Sequence, residues 1–487
     1  MDLVAPDGTR QIRRRTRRDP KPRFKADLRH QLDGVKGCPD LLVAGDHPAR
    51  EIQAFVAKLD LTAVEQSYSS LGRRGHHPRN VLAVWLYASQ IGVHHATKVA
   101  RAMQTDAALR LLSGGHTISA GTLKRFRQSQ RSLFESLLTE TVRVAHAEGL
   151  VTTEELATDS MRLRAHASTG QVGTAKRSRQ RLAELESITR STLPEHQRQL
   201  YDRKVAKHRA VLEKCAERER TSVVLTNPEA ALMKFPNGAG LPGHRVTATA
   251  SGISERIVVG VLVDATPTDD GNLGGAVVAA RNVLEAAGVP IEHMQVAADA
   301  GYFCETDLEF ASQNRDWVDV LIAEGAAADP EPPAQGRKGF FDRARFKILD
   351  DGNAICPADQ QMTPPRVMSN GRTVWVGIGC RECALRPQCT TANRRRTLTA
   401  DMNLEKVRNE MRERMARPGA RERYAQRIAT IEPVFSNIED GMGFRRSSSR
   451  HPTTVVAEVL LKVVAHNLSR ITAARKVACV FVPLLVD

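Results

Sequence analysis

The chain has 487 residues, about three times a typical ~150-residue domain, so it can bury sizeable cores and is expected to fold as two or three units rather than as an isolated peptide. Seventy-one Lys and Arg against 55 Asp and Glu leave +16 and a pI near 9.8, which points to a polyanionic partner, either nucleic acid or an anionic membrane face. No apolar run approaches ~18 residues without a charge, and the Arg-rich start has no apolar core of a signal peptide, so neither a membrane span nor secretion is expected. A cytoplasmic setting follows as an expectation. There the eight cysteines stay reduced, and metal binding or burial is favoured over disulfides.

Residues 10–29 hold ten Lys/Arg against Asp19 and Asp27, so +8 of the net charge lies within twenty residues. This reads as a basic, disordered arm spanning 1–49, either a solvated tail or a phosphate-contacting segment. From about Arg50 to Gly149 the apolar spacing is helical, as in Val81, Leu82, Trp85 and Leu86, with Pro78 placed to open a helix. Within this helical domain, 50–149, Lys124, Arg125 and Arg127 beside Thr122 and Phe126 read either as a DNA-contacting helix or as a solvated face.

After Gly149 the period changes. Ala157, Asp159, Met161 and Leu163 alternate onto one face of a strand, which places a carboxylate on its apolar side. Residues 176–220 then read as long basic helices broken at Pro194. Arg245–Ala250 and Arg256–Asp264 read as a hairpin, followed by a helix capped by Asp269 or Asp270 and ended by Gly288. A strand ending at Asp299, a helix from Glu305 and a strand over Val318–Ile322 complete an α/β core with a mixed sheet. This core is expected over 150–325 with a helical insertion at about 170–225. A linker at Ala326–Gly339 and a cysteine-rich insertion fill 326–400, and helices over 401–487 complete the core.

Two carboxylates, Asp159 and Asp299, thus stand at apolar strand positions, where burial without a cation is costly. Oxygen donors favour Mg²⁺ or Mn²⁺. A third donor comes from a C-terminal helix whose inward stripe is read as Ile428, Ile431, Phe435 and Ile438, with Glu432 at its edge. Pro433 directly after it marks either a kink or a helix start.

The combination Thr158-Asp159-Ser160, Ala298-Asp299-Ala300-Gly301-Tyr302, Tyr424-x-x-Arg427 with Glu432-Pro433-Val434-Phe435, and Gly443-Phe444-Arg445-Arg446 resembles bacterial insertion-sequence transposases with a ribonuclease-H-like DDE catalytic domain. The resemblance runs from about Leu59 through Asn227-Pro228-Glu229 to the C-terminal helices. It implies a ribonuclease-H-like fold in which Asp159, Asp299 and Glu432 hold two divalent cations, while Tyr424 and Arg427 contact DNA near the cleaved phosphate. Two such ions can stabilise the attacking and leaving oxygens of an in-line displacement at phosphorus. The chain departs from the family pattern at Glu439, where lysine is usual, at Ser436 for glycine, at Asn227 for aspartate and at His244-Arg245 for a Tyr-Asn pair.

Cys356, Cys380, Cys383 and Cys389 fall within 34 residues and read either as a structural Zn²⁺ site or as four reduced thiols; Cys38, Cys215, Cys304 and Cys479 read as ordinary thiols. The resulting expectation is a nucleoid-associated DNA transposase. It binds terminal inverted repeats, cleaves them and joins them to target DNA, as a homodimer in the synaptic complex. The rival readings are an inactive transposase-derived DNA-binding protein and a metal-dependent nuclease.

Overall fold

A helix that is apolar on every side belongs at a centre, and Val81–Ser89 is such a run, buried without interruption. The structure, a computed structural model, describes residues 22–34, 36–324, 340–341, 343–349, 351–369, 371–390 and 395–481, without the side chains of 344 and 478–481. The first of two units, up to Leu133, contains α1 (Pro39–Leu42), α2 (Pro48–Lys58), α3 (Thr62–Gln66), α4 (Pro78–Gln90), α5 (Ala96–Ala102), α6 (Ala107–Leu112) and α7 (Ala120–Ser129). Helix α4 opens on Pro78, where a missing N–H costs nothing, and packs against α2, α6 and α7.

Residues 1–21 of the expected arm lie outside the described residues, but 22–49 do not behave as a disordered arm. Phe24 packs its ring against Tyr68 and His77, with centroids 5.4 and 4.6 Å away, and the Lys25 amide donates to the Gly75 carbonyl at 2.9 Å. Arg29 pairs with Asp27, and Arg50 with Asp40. Aromatic burial and paired charges order a stretch whose net charge alone suggested otherwise.

The second unit is described from Phe134 onward; α8 (Arg131–Ala147) enters it and β1 (Leu156–Arg164) follows. A ribbon of β2 (Val172–Thr174) and β3 (Ser222–Val224) carries the basic helices α9 (Ala175–Glu186) and α10 (Glu195–Glu217), separated around Pro194 as the sequence indicates. The main sheet adds β4 (Ala231–Lys234), β5 (Gly240–Ser251), β6 (Ile257–Asp264), β7 (Met294–Ala298) and β8 (Val318–Ile322). Its order is β6-β5-β1-β7-β8, with β4 sharing β6's side of β5. Strand β1 is central, antiparallel to β5 and parallel to β7, and β7 is parallel to β8, so the sheet is mixed.

Helix α11 (Leu273–Ala287) ends on Gly288 at φ +80°, as expected, but neither Asp269 nor Asp270 caps it. Asp307, on α12 (Glu305–Gln313), accepts from the Gly271 and Leu273 amides at 2.9 and 3.1 Å instead. Asp269 is drawn away by Arg245. The expected linker at Ala326–Gly339 lies outside the described residues. Beyond it, β9 (Lys347–Ile348) and β10 (Ala354–Ile355) pair with each other, and β11 (Arg366–Val367), β12 (Thr373–Val376) and β13 (Thr397–Ala400) form a second small sheet. Trp375 lies in its core with Phe341, Phe346, Met362 and Leu398, and α13 (Arg386–Cys389) packs nearby through Cys389.

The chain closes with α14 (Met402–Ala416), α15 (Ala420–Ser436) and α16 (Pro452–Phe481), none of the described helices being long and apolar enough to cross a membrane. Helix α15 lies against β1, β5, β7 and β8. It continues through Pro433, neither starting nor ending there. Proline removes the N–H that would bind the carbonyl four residues back, on Ala429. That carbonyl accepts a hydrogen bond from Arg256 Nε at 2.9 Å. Arg256 sits in the β5–β6 turn at φ +54°, an uncommon conformation for a side-chain-bearing residue. Its own carbonyl accepts from Nε2 of the buried His466, whose Nδ1 accepts from the Asn437 amide, both at 2.9 Å. Burial holds the imidazole neutral, its pKa pushed down to about 4, as this donor–acceptor pattern requires.

Arg256 therefore replaces the missing proline hydrogen bond. Arg256→Ala is expected to lower unfolding free energy by about 1–2 kcal/mol. In a Pro433→Ala background the restored backbone N–H satisfies the Ala429 carbonyl, and the loss shrinks. Additive effects in denaturant titrations of the two single variants and the double variant would sink this account.

Candidate functional site

Register puts the two aspartates side by side. Thr158 on β1 is level with Ala298 on β7, so Asp159 and Asp299 are the next residues along two neighbouring parallel strands. The Asp159 side chain is 23% exposed, and Asp299, just past the end of β7, is 46% exposed. Between them lies the guanidinium of Arg427 on α15. Its Nη1 stands 3.5 Å from Asp159 Oδ2, and its Nη2 stands 3.0 Å from Asp299 Oδ1.

Asp159 feels three opposing influences. Burial dominates and pushes its carboxyl up to about 6; the Ser160 amide and Arg427 pull it down, while Asp299 and Glu432 add repulsion. Glu432 is exposed on α15, five residues beyond Arg427, and near enough to contribute to that field. Tyr424, one turn before Arg427, lies 5.6 Å from the guanidinium by its ring centroid, and burial raises its hydroxyl pKa. Asp159, Asp299, Arg427 and Tyr424 thus meet, whereas the fifth residue of the sequence signature, Glu432, acts on Asp159 only through its field. Among the described residues, however, no three acidic, cysteine or histidine side chains stand close enough to hold one ion together.

Other sequence expectations shift. Ile428 is exposed rather than part of the inward stripe of α15, which runs through Arg427, Thr430, Ile431 and Val434 to Ile438. A polar arginine occupies the stripe because two carboxylates receive it. Glu439 lies half-buried in a π-turn over Asn437–Gly441, its carboxyl pushed up by burial, and the neighbouring Asp440 pairs with Arg445. Arg127 in the first unit turns inward: it is 4% exposed, stacks 4.5 Å from the Trp85 ring centroid and donates to the His94 carbonyl at 3.0 Å. Cation–π packing explains this placement. Lys124 and Arg125 remain exposed on α7.

Sequence reasoning missed the polar support behind Asp159. Arg245, fully buried on β5, ion-pairs with Asp269 and donates to Ser160 Oγ at 2.7 Å and to the Thr266 carbonyl at 2.9 Å. Ser160 Oγ in turn donates to Asp269 Oδ1 at 2.5 Å. The residue after Asp159 is thereby locked by an ion pair whose arginine is buried and whose carboxylate is partly exposed. The departure at His244-Arg245 was the available signal, since arginine within an apolar strand demands a partner.

Cys356, Cys380, Cys383 and Cys389 line one cavity of about 320 Å³ and form no disulfide. A Cβ at Gly377 would stand 2.4 Å from Cys380 Sγ, so a larger residue there would displace that thiol. The Cys389 thiol is pushed up mainly by burial and further by the three other cysteines. Cys38 and Cys215 are buried thiols and Cys304 is partly buried, as expected, whereas the Cys479 side chain lies outside the described residues.

With this geometry in place, residues 355–472 match the family described as Transposase DDE domain, and residues 39–129 match Transposase domain (DUF772). A comparison with curated proteins finds no match. Both matches support an insertion-sequence transposase of the DDE type.

The raised carboxyl has a measurable sign. Since Asp159 titrates near 6 in the folded chain and near 3.8 otherwise, its neutral form favours the fold: that advantage is complete below pH 3.8 and is lost as pH rises through 6. Asp159→Asn keeps a neutral side chain at every pH. In EDTA it is expected to exceed wild type in stability by about 1–3 kcal/mol at pH 8. The two should converge near pH 4. A variant less stable than wild type at pH 8 in thermal melts would contradict this balance.

Proposed function

We propose that the chain cleaves the inverted-repeat ends of its own element and joins them to target DNA, with Mg²⁺ or Mn²⁺ held by Asp159, Asp299 and Glu432. The observation that carries this reading is the Asp159–Arg427–Asp299 bridge, in which two adjacent carboxylates demand positive charge at one point of the sheet. Supporting it, the order β6-β5-β1-β7-β8 is that of a ribonuclease-H-like core: three antiparallel strands followed by two parallel ones, with an acid on the central strand, one at the end of its parallel neighbour and one on a helix across the sheet. The donor set is all carboxylate oxygen, which suits a hard cation. When bound, divalent ions supply charge stabilisation for an in-line displacement at phosphorus.

The chain's own residues do the rest. Strands β1 and β7 hold Asp159 and Asp299 level, Arg245 and Asp269 fix Ser160 behind them, and Arg256 keeps α15 continuous at Glu432. Arg427 neutralises the carboxylate pair and exchanges it for a DNA phosphate, a role its planar two-pronged donor suits better than lysine. Lys124 and Arg125 contact end DNA from the first unit, and holding two ends requires two copies of the chain. Cys356, Cys380, Cys383 and Cys389, which line one cavity, would hold a structural Zn²⁺ once their thiolates close up from their present separation. One zinc per chain by elemental analysis is expected, with none in Cys380→Ser/Cys383→Ser. Zinc-free wild type that melts normally would remove that part of the reading.

The decisive assay uses duplexes from the DNA flanking the gene, the full chain, and Mg²⁺ or Mn²⁺. Metal-dependent 3′-hydroxyl ends and joined products are expected, falling by at least ~10³-fold in Asp299→Ala, roughly 4 kcal/mol of barrier. Binding without cleavage by either protein would favour a DNA-binding relic, and cleavage without joining a nuclease.

A further inference from the structure

The motif Gly443-Phe444-Arg445-Arg446 has no place in the site above, yet the fold puts it to use. Beyond the last paired residues of β1, the loop from Gly443 to Arg450 is stitched onto the strand end. The Arg164 amide donates to the Arg445 carbonyl at 3.2 Å, the Ser447 amide donates to the Arg164 carbonyl at 2.9 Å, and the His166 amide donates to Ser447 Oγ at 3.1 Å. Phe444 is fully buried, which anchors the loop. The result is a concavity of about 420 Å³ whose polar walls are Arg164, His166, Ser168, Thr169, Arg446 and Arg450, with no acidic side chain among its lining residues.

The arginines are fixed rather than loose. Arg446 Nε donates to the Ala165 carbonyl at 3.3 Å, and Arg450 Nε donates to the His166 carbonyl at 3.2 Å. Each guanidinium is thus held by its inner nitrogen, while Arg164, Arg446 and Arg450 are all exposed. Among the described residues no carboxylate pairs with any of the three, in contrast to the adjacent Arg445, which Asp440 neutralises. Three guanidinium groups gathered without a counter-charge repel one another, an arrangement that a polyanion relieves. His166, kept neutral by burial and by Arg446 and Arg450, adds a neutral ring to the wall.

We propose that this concavity seats the sugar–phosphate backbone of the DNA strand that reaches the carboxylates, with Arg164, Arg446 and Arg450 as its phosphate ligands. Its distance from the site fits. Arg164 is five residues beyond Asp159 on the same strand, roughly 16 Å at ~3.3 Å per residue, a separation of a few nucleotides. The size also fits, since about 420 Å³ is too large for one inorganic anion. The inference rests on the DNA-cleaving reading and adds to it where the strand lies.

The test is equilibrium binding of the full chain to a 30-base-pair duplex of its own end and to an unrelated duplex of equal length, by fluorescence anisotropy over a range of salt. Each phosphate contact contributes about 0.9 to the slope of log affinity against log salt. Arg446→Ala/Arg450→Ala is expected to lower that slope by about 2 on both duplexes, because backbone contacts carry no sequence information. Arg446→Lys/Arg450→Lys should keep most of the slope. Thr169→Glu, at an exposed rim position whose side chain makes no hydrogen bond, should weaken binding at least ~5-fold without altering the melt; this guards against an effect of loop unfolding in the alanine variant. A wild type that binds DNA with a slope unchanged in the alanine and glutamate variants overturns the pocket assignment alone. A wild type that binds neither duplex overturns the DNA reading and the pocket with it.

Discussion

The guanidinium of Arg427 between Asp159 and Asp299 is the contact on which the packing of α15 against the sheet depends. A mixed sheet whose central strand faces an apolar layer has no room for an uncompensated carboxylate, and here two arrive at the same level from neighbouring strands. Their repulsion and desolvation must be met from the helix that covers them, and Arg427 meets both at once. The position of α15 follows from this. Once Arg427 is committed to the strands, Tyr424 lies one turn earlier beside the guanidinium and Glu432 emerges at the exposed edge.

That single pairing would be ineffective on a broken helix. Pro433 follows Glu432 immediately, and proline inside a helix normally kinks it by freeing a carbonyl. Here the β5–β6 turn holds Arg256 in a strained left-handed conformation and delivers its side chain to the freed Ala429 carbonyl. His466 of α16 then ties the same turn to Asn437, where α15 loosens into its π-turn. The strain at Arg256, of order 1–2 kcal/mol, accompanies the continuity of α15 through Glu432 and Pro433.

How much of this the sequence reveals divides by range. Alternation along Leu156–Leu163, the strand ending at Asp299, the hairpin and the basic helices broken at Pro194 are local patterns, set by periods of 2 and 3.6 and by Pro and Gly. They were legible, and with them the two aspartates. Partners far apart in sequence were not. Asp269 was assigned to a helix cap because nothing local distinguishes it from one, whereas Arg245 claims it and Asp307 takes the cap. Arg127 reads as one more cation on a basic helix until Trp85 supplies a ring to lie on. Ile428 looks like a core residue by spacing alone, but the helix is rotated so that Arg427 faces the sheet.

Charge shows the same division between count and placement. The +16 of the chain says only that a polyanion is welcome. Many of the described arginines are already spent on carboxylates: Arg29 on Asp27, Arg50 on Asp40, Arg218 on Glu229, Arg412 on Glu324 and Arg445 on Asp440. Such pairs contribute little to attraction at a distance, since each presents a near-neutral dipole within the screening length of ordinary buffer. What would attract a polyanion is the unpaired remainder, and its location matters more than its size. Arg164 ends the very strand that carries Asp159, and the loop bearing Arg446 and Arg450 is bridged to it there, so on the proposed reading a backbone drawn to the three would lie along β1 toward the carboxylates. Asp159, Asp299 and Glu432 by themselves repel that backbone. A basic anchor at the end of the same strand would offset the repulsion while leaving the acids to cations, which is how the proposed reading reconciles a negatively charged centre with a negatively charged substrate.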